Sequence, residues 1–217
     1  MKREIIITAD GSKTISLPEW NEQYHSKHGA IQEAYHVFIK AGLSLFKNQD
    51  LSILEIGFGT GLNALISLLE YKTQNLKVTY HGIEGYPVAL SEIKALNYSE
   101  FLNISEAVFL KLHTSNWEEF IQIEEGFRLK KENMFFADLS YKNCFDLVYF
   151  DAFGPRVQPD LWTETIFKNM YKALKTGGVL VTYSAKGSVR RAMQSVGFSV
   201  ERLPGPPGKR EMLRATK

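Results

Sequence analysis

Cysteine is nearly missing from this chain. Cys144 stands alone among 217 residues, which excludes a disulfide framework and any CxxC metal site. Its position just before a strand-like run predicts a small core residue. The five histidines, at 25, 28, 36, 81 and 113, show no HExxH or comparable spacing, so no structural metal is expected. No apolar run is long enough to cross a bilayer, and no basic-then-apolar leader opens the chain; the expectation is a cytoplasmic protein without a membrane partner. An excess of one charge is missing too. Lys and Arg total 26 against 24 acids, a formal charge of +2, so a basic surface for nucleic acid has to come from local clustering. Repeats, low-complexity tracts and linkers are absent. With 44% hydrophobic and 12% aromatic residues the chain can bury a proper core. One domain over residues 1–217 is expected, with roughly the first 48 residues as an N-terminal cap.

The pattern that is present alternates strands and helices. Residues 4–8 and 13–16 read as a β-hairpin around Asp10-Gly11. Residues 30–45 have helical periodicity through Ala34, Val37, Phe38, Ala41 and Leu45. Then come strand 51–56, helix 62–71, strand 78–83 and helix 88–95. Residues 101–131 are mixed, with a possible hairpin in 117–129 turning at Glu125-Gly126. Strand 145–150, helix 159–174, strand 178–183, helix 189–196 and a β pair within 198–215 complete the chain. Such alternation implies an α/β fold with a doubly wound, largely parallel sheet and right-handed crossovers, extended at the N-terminus by the hairpin and helix.

The densest signal is LSILEIGFGTGLN. Leu51, Ile53, Leu54 and Ile56 make a buried strand, Gly57, Gly59 and Gly61 follow, and a helix starts near Leu62. Glycines there let backbone approach a ligand, and the helix start points free N–H groups into the same space. A dinucleotide fingerprint would need its third glycine at Leu62, and a P-loop would need GK followed by Ser or Thr; neither is present. The form found, with Glu55 two residues ahead of the first glycine, resembles the first motif of Rossmann-like S-adenosylmethionine-dependent methyltransferases. In that reading the turn receives the aminoacyl end of the cofactor and Glu55 answers its ammonium. Glu84, ending the next strand, sits roughly 20 residues or somewhat more past the turn, where doubly wound folds place the acid that holds the ribose. Tyr86 or Pro87 would flank the adenine, and Asp138 in FFADL is a candidate acceptor for its amino group. Asp151, at the end of FDLVYFD, emerges at the carboxyl edge of the sheet, where ligands bind; a loop cap is the structural alternative.

Longer stretches carry a closer likeness. TADGSKTISLPEWNEQYHSKHGAIQEAYHVFI, DAFGP followed by PDLW, the VRR helix and the KREML ending resemble the methyltransferase half of the MnmC family and its stand-alone form, MnmD. That resemblance implies N-methylation of the aminomethyl group on the wobble uridine, with the tRNA anticodon stem-loop as partner. It implies cofactor contacts from Gly57, Phe58, Gly59, Gly61, Asn63, Glu84 and Asp138, with Asp151 at the methyl-transfer centre. His28, Gly29, Gln32 and Glu33, the HGxxQE segment, imply that the N-terminal hairpin and helix close over the site. The flavin-dependent oxidase half of the two-domain members does not follow Lys217, so no flavin is expected. For tRNA phosphates the candidates are Lys186, Arg190, Arg191, Lys209, Arg210 and Arg214, with Arg156 near the active-site loop; Phe153 or Trp162 would stack on the splayed base. A methyltransferase for a small molecule or protein, an aminopropyltransferase and a non-catalytic RNA-binding module share parts of the pattern.

Overall fold

The computed structural model describes residues 2–217. Among them β1 (Glu4–Ile7), β2 (Lys13–Leu17) and β3 (Glu22–Gln23) form a small antiparallel sheet. Strands β4 (Asp50–Ile56), β5 (Lys77–Ile83), β6 (Ile121–Glu124), β7 (Phe127–Glu132), β8 (Phe145–Phe150), β9 (Leu174–Thr182), β10 (Ser199–Pro204) and β11 (Glu211–Thr216) form the main sheet in the order β10-β11-β9-β8-β4-β5-β7-β6. The helices are α1 (Ala30–Ala34), α2 (Leu62–Glu70), α3 (Leu90–Lys94), α4 (Tyr98–Phe101), α5 (Glu106–Thr114), α6 (Glu164–Ala173) and α7 (Gly187–Ser195). From β7 through β5, β4 and β8 to β9 every pairing is parallel, while β6 and β11 are antiparallel to their neighbours. This is the expected Rossmann-like, doubly wound arrangement.

Its inner strands read as unbroken apolar runs because both faces are covered. Ile53, Leu147 and Tyr149 pack under α2 and the N-terminal helical segment, whereas Leu54, Ile56, Val148 and Phe150 pack under α6 and α7. The chain leaves β4 toward β5 on one side and reaches β8 and β9 on the other, so the carboxyl ends of β4 and β8 flank the switch point where such sheets bind ligands.

Several expectations needed correction. The helix over 30–45 is divided into α1, a wider π-type turn at Tyr35–Lys40 and a 3-10 turn at Leu43–Leu45. Val37, Phe38 and Ile39 are all buried because this segment packs against both α2 and β9, so a one-sided helical stripe does not apply. Helix 159–174 is a 3-10 turn at Pro159–Trp162 followed by α6, and β9 starts at Leu174 with a register shift against β8. The mixed stretch 101–131 resolves into α5 and a β6–β7 hairpin whose second strand joins β5 in parallel. Cys144 is exposed and lies outside β8. No helix among the described residues is long and apolar enough to cross a membrane, and no three His, Cys, Asp or Glu are grouped there to hold a metal ion.

The N-terminal sheet is fastened by polar contacts rather than by strand pairing. Asn97 accepts from the Lys13 N–H at 2.7 Å and donates to the Gly11 carbonyl at 3.1 Å. Arg3 pairs with Glu92 at 2.9 Å, and Arg156, beyond β8, pairs with Glu22 at 3.0 Å. These contacts hold Trp20, Tyr24 and His25 over the carboxyl ends of the parallel strands, where they line a cleft.

Candidate active site

The cleft measures about 820 Å³ and opens at the switch point, a volume in the range of small-molecule sites. Its floor begins where β4 ends. Gly57 has φ +90, and a Cβ placed on it would lie 2.7 Å from the Asp151 carbonyl oxygen; only glycine permits the two strand ends to come this close. Asp151 in turn donates its N–H to the Ile56 carbonyl at 2.9 Å. The ring of Phe58 turns inward over Gly82, where a Cβ would come within 2.4 Å of it.

Glu84 joins the glycine turn to the end of β5. One carboxylate oxygen accepts the Gly59 N–H and the other the Tyr86 N–H, both at 2.9 Å. The carboxylate is thereby fixed at the cleft wall with a lone pair left on each oxygen. Tyr86 and Phe135 form a tilted aromatic pair 5.8 Å apart on the same wall, and both are largely exposed.

Asn63, in the first turn of α2, donates through Nδ2 to Asp151 at 2.8 Å and to Glu55 at 2.9 Å. Its Oδ1 is buried without a partner, an acceptor that calls for a donor from a bound molecule. The second Glu55 oxygen accepts from the Tyr80 hydroxyl at 2.9 Å. Burial pushes the carboxyls of Glu55 and Asp151 up, Glu55 well above the usual range and Asp151 to about 7. For Asp151 the Asn63 hydrogen bond and the Lys209 ammonium pull down, and the Glu33 charge pushes up.

The structure thus brings together Gly57, Phe58, Gly59, Asn63, Glu84, Asp151 and Phe153 along one cleft. Glu55 is not among its lining. Fully buried, it faces α2 and β5, where it accepts from Asn63 and Tyr80. Gly61 sits behind the turn against His113. Asp138 is exposed and outside the cleft, because the 3-10 turn at Phe136–Asp138 buries Phe136 and leaves the aspartate in solvent. Trp162 is core, stacked edge-on against Phe150, with its Nε1 donating to the Phe153 carbonyl at 2.8 Å.

The basic residues separate. Lys186, Arg191 and Arg210 are exposed, Arg190 is half-buried, Arg214 pairs with Glu201 at 2.7 Å, and Lys209 lies inside the cleft. Tyr24, Tyr183 and Phe135 were not foreseen as lining residues. FFADL held the signal for Phe135, and Tyr183 ends a strand expectation, as Asp151 does.

Fold and site together define an adenosyl-cofactor-dependent transferase of the doubly wound class: a glycine turn at the switch point, an acid ending the adjacent strand and a half-buried acid facing the turn. The model of the S-adenosyl-L-methionine-dependent methyltransferase family matches residues 96–217, and the chain belongs to that family. It is 29% identical over 97% of its length to the tRNA 5-methylaminomethyl-2-thiouridine biosynthesis bifunctional protein MnmC of Actinobacillus pleuropneumoniae, covering 35% of that protein. To the protein of the same name from Leptospira interrogans it is 32% identical over 96% of its length, covering 34%. The chain therefore spans about a third of the length of these curated relatives. Among solved structures, MNMC2 from Aquifex aeolicus superposes with a TM-score of 0.76 at 28% identity, covering 99% of this chain and 69% of that one. Spermidine synthase from Thermotoga maritima, at 16% identity and a TM-score of 0.63, shares the fold.

Proposed function

We propose that this methyltransferase transfers the methyl group of S-adenosylmethionine to the primary amine of an aminomethyl group on the wobble uridine of tRNA, with or without a 2-thio substituent. The observation that carries this reading is Asp151: a half-buried carboxyl with a pKa raised to about 7, held by Asn63 at the floor of a cleft that also contains Glu33 and aromatic faces. Such a floor suits an amine that arrives protonated and has to react neutral. The likeness to MnmC proteins along nearly the whole chain points to the same acceptor.

The residues present fit the cofactor. The unpartnered Asn63 Oδ1 suits its ammonium, the Gly57–Gly59 turn its aminoacyl end, the free lone pairs of Glu84 the ribose hydroxyls, and Tyr86 with Phe135 the adenine. When bound, the cofactor supplies an electrophilic methyl group on a sulfonium. Asp151 takes the proton that the acceptor's ammonium must lose and holds the nitrogen in line. The cap residues Trp20 and Tyr24, packed edge-on against Phe153 at 5.8 and 5.0 Å, exclude water. Alignment of this kind is worth on the order of 7–11 kcal/mol. Phe153 offers a face for the splayed base, and Lys186, Arg190, Arg191 and Arg210 suit phosphates of the anticodon stem-loop.

Incubation with unmethylated tRNA and S-adenosylmethionine, followed by nucleoside mass spectrometry, is expected to show the methylaminomethyl uridine; an unchanged nucleoside profile would remove the tRNA reading. Glu84→Ala is expected to weaken cofactor binding about 10–100-fold in calorimetry, the loss of one or two charge-assisted hydrogen bonds. Wild-type affinity in that variant would take the ribose away from Glu84.

A further inference from the structure

Lys209 comes from the loop between β10 and β11, yet its ammonium sits inside the cleft. Nζ lies 2.5 Å from Glu33 Oε1 and 3.9 Å from the centroid of the Tyr183 ring. Glu33 is nearly buried, and its other oxygen accepts the Ser26 N–H at 2.9 Å, which fixes the carboxylate. Tyr183 is fixed as well, through its hydroxyl, which donates to the Ala152 carbonyl at 2.8 Å, next to Asp151. Carboxylate, aromatic face and a neighbouring acid are the parts that recognise an alkylammonium, one by charge-assisted hydrogen bonding and one by cation–π attraction. The loop that delivers Lys209 carries Gly205 and Gly208, the latter at φ +83, and the lysine stem is itself flexible.

We infer that Glu33 and Tyr183 form the ammonium-binding subsite for the acceptor, and that Lys209 fills it from within until the acceptor's aminomethyl group displaces it. The inference rests on the reading that the acceptor is a primary amine. It gives Glu33 a contact with substrate and makes Lys209 a resident competitor. A subsite occupied by the chain's own ammonium avoids leaving a buried carboxylate unpaired, which would be costly. The displaced Lys209 ammonium is then free to meet a phosphate.

Lys209→Ala removes a propylammonium-sized piece and leaves the subsite open. In that variant n-propylammonium chloride at roughly 50 mM is expected to raise the melting temperature by about 2 °C or more relative to tetramethylammonium chloride, as a ligand bound only by the folded state does. Wild type and the Glu33→Gln/Lys209→Ala double variant are expected to show no difference between the two salts. In the Lys209→Ala background, which has no competing ammonium, adding Glu33→Gln, which keeps an acceptor for Ser26, is expected to raise the acceptor KM about tenfold or more with the S-adenosylmethionine Kd unchanged, the loss of one ionic hydrogen bond. An equal response of Lys209→Ala to both salts, or a propylammonium response that survives in the double variant, would overturn the subsite. So would an acceptor KM that is the same in Lys209→Ala and in the double variant. A propylammonium response without methylation of tRNA would keep the subsite and transfer it to another amine acceptor, so the two failures are distinguishable.

Discussion

Asp151→Asn is expected to lower kcat by about 10²–10⁴-fold, the usual worth of a positioned acid or base, while the Kd for S-adenosylmethionine changes little. The side chain keeps its shape and its place beside Asn63, so the loss isolates the proton-accepting role. In wild type kcat/KM is expected to rise with pH and level off above about 7, as Asp151 ionises; the variant lacks that limb. Stability moves the other way. The carboxyl pKa is about 7 when folded against the ordinary 3.8 of an unfolded chain, so between those values folding at Asp151 takes up a proton. The Asp151 contribution to stability therefore falls as pH rises from about 4 to about 7 and stays low above it. The variant lacks that contribution. Its melting temperature relative to wild type is expected to climb across that window, giving a protein that is more heat-resistant at pH 8 and nearly inactive. Wild-type turnover in Asp151→Asn, or a melting difference that does not vary with pH, would remove this acid from the mechanism.

Gly57→Ala is expected to abolish saturable S-adenosylmethionine binding and to destabilise the fold. An L-residue at φ +90 is strained by roughly 1–2 kcal/mol, and the new methyl would also sit 2.7 Å from the Asp151 carbonyl oxygen. Relief requires the ends of β4 and β8 to separate, which displaces the turn and Asp151 together. Gly177→Ala separates the two causes: φ is +76 there, but nothing lies within 4 Å of the added carbon. Its melting temperature is expected to fall by about 2–8 °C from backbone strain alone, with cofactor binding intact. A larger fall in Gly57→Ala together with lost binding, by calorimetry and thermal melting, would show the contact to be the decisive term. Retained binding would mean that the turn tolerates a side chain.

The core of this site was legible in the sequence because its signals are short. Leu51 to Ile56 followed by alternating glycines can hardly be anything but a buried strand turning into a helix, and acids ending apolar runs marked Glu84 and Asp151. Glu55 belongs to the same motif but lies off the cleft lining. Strand alternation turns it toward the Asn63 and Tyr80 side chains, both of which it engages, and the motif does not state that direction. A single 3-10 turn leaves Asp138 outside the cleft lining, and Cys144 is exposed because it lies just outside a strand. The segment over 30–45 failed because periodicity assumes one covered face, whereas Val37, Phe38 and Ile39 are buried between α2 and β9.

Local order was written in the chain itself: which runs make strands and helices, where glycine lets the backbone turn, and which acids stand at strand ends. Periodicity, φ preference and apolar patterning act over a few residues, so they are readable without a partner. The company each side chain keeps was decided only by folding. Lys209 looked like one member of a basic surface cluster, yet sheet order and the capping segment carry it to Glu33, 176 residues earlier, while Arg214 is drawn to Glu201. Charge is long-ranged and indifferent to sequence distance, and which opposite charge it meets depends on how the layers stack.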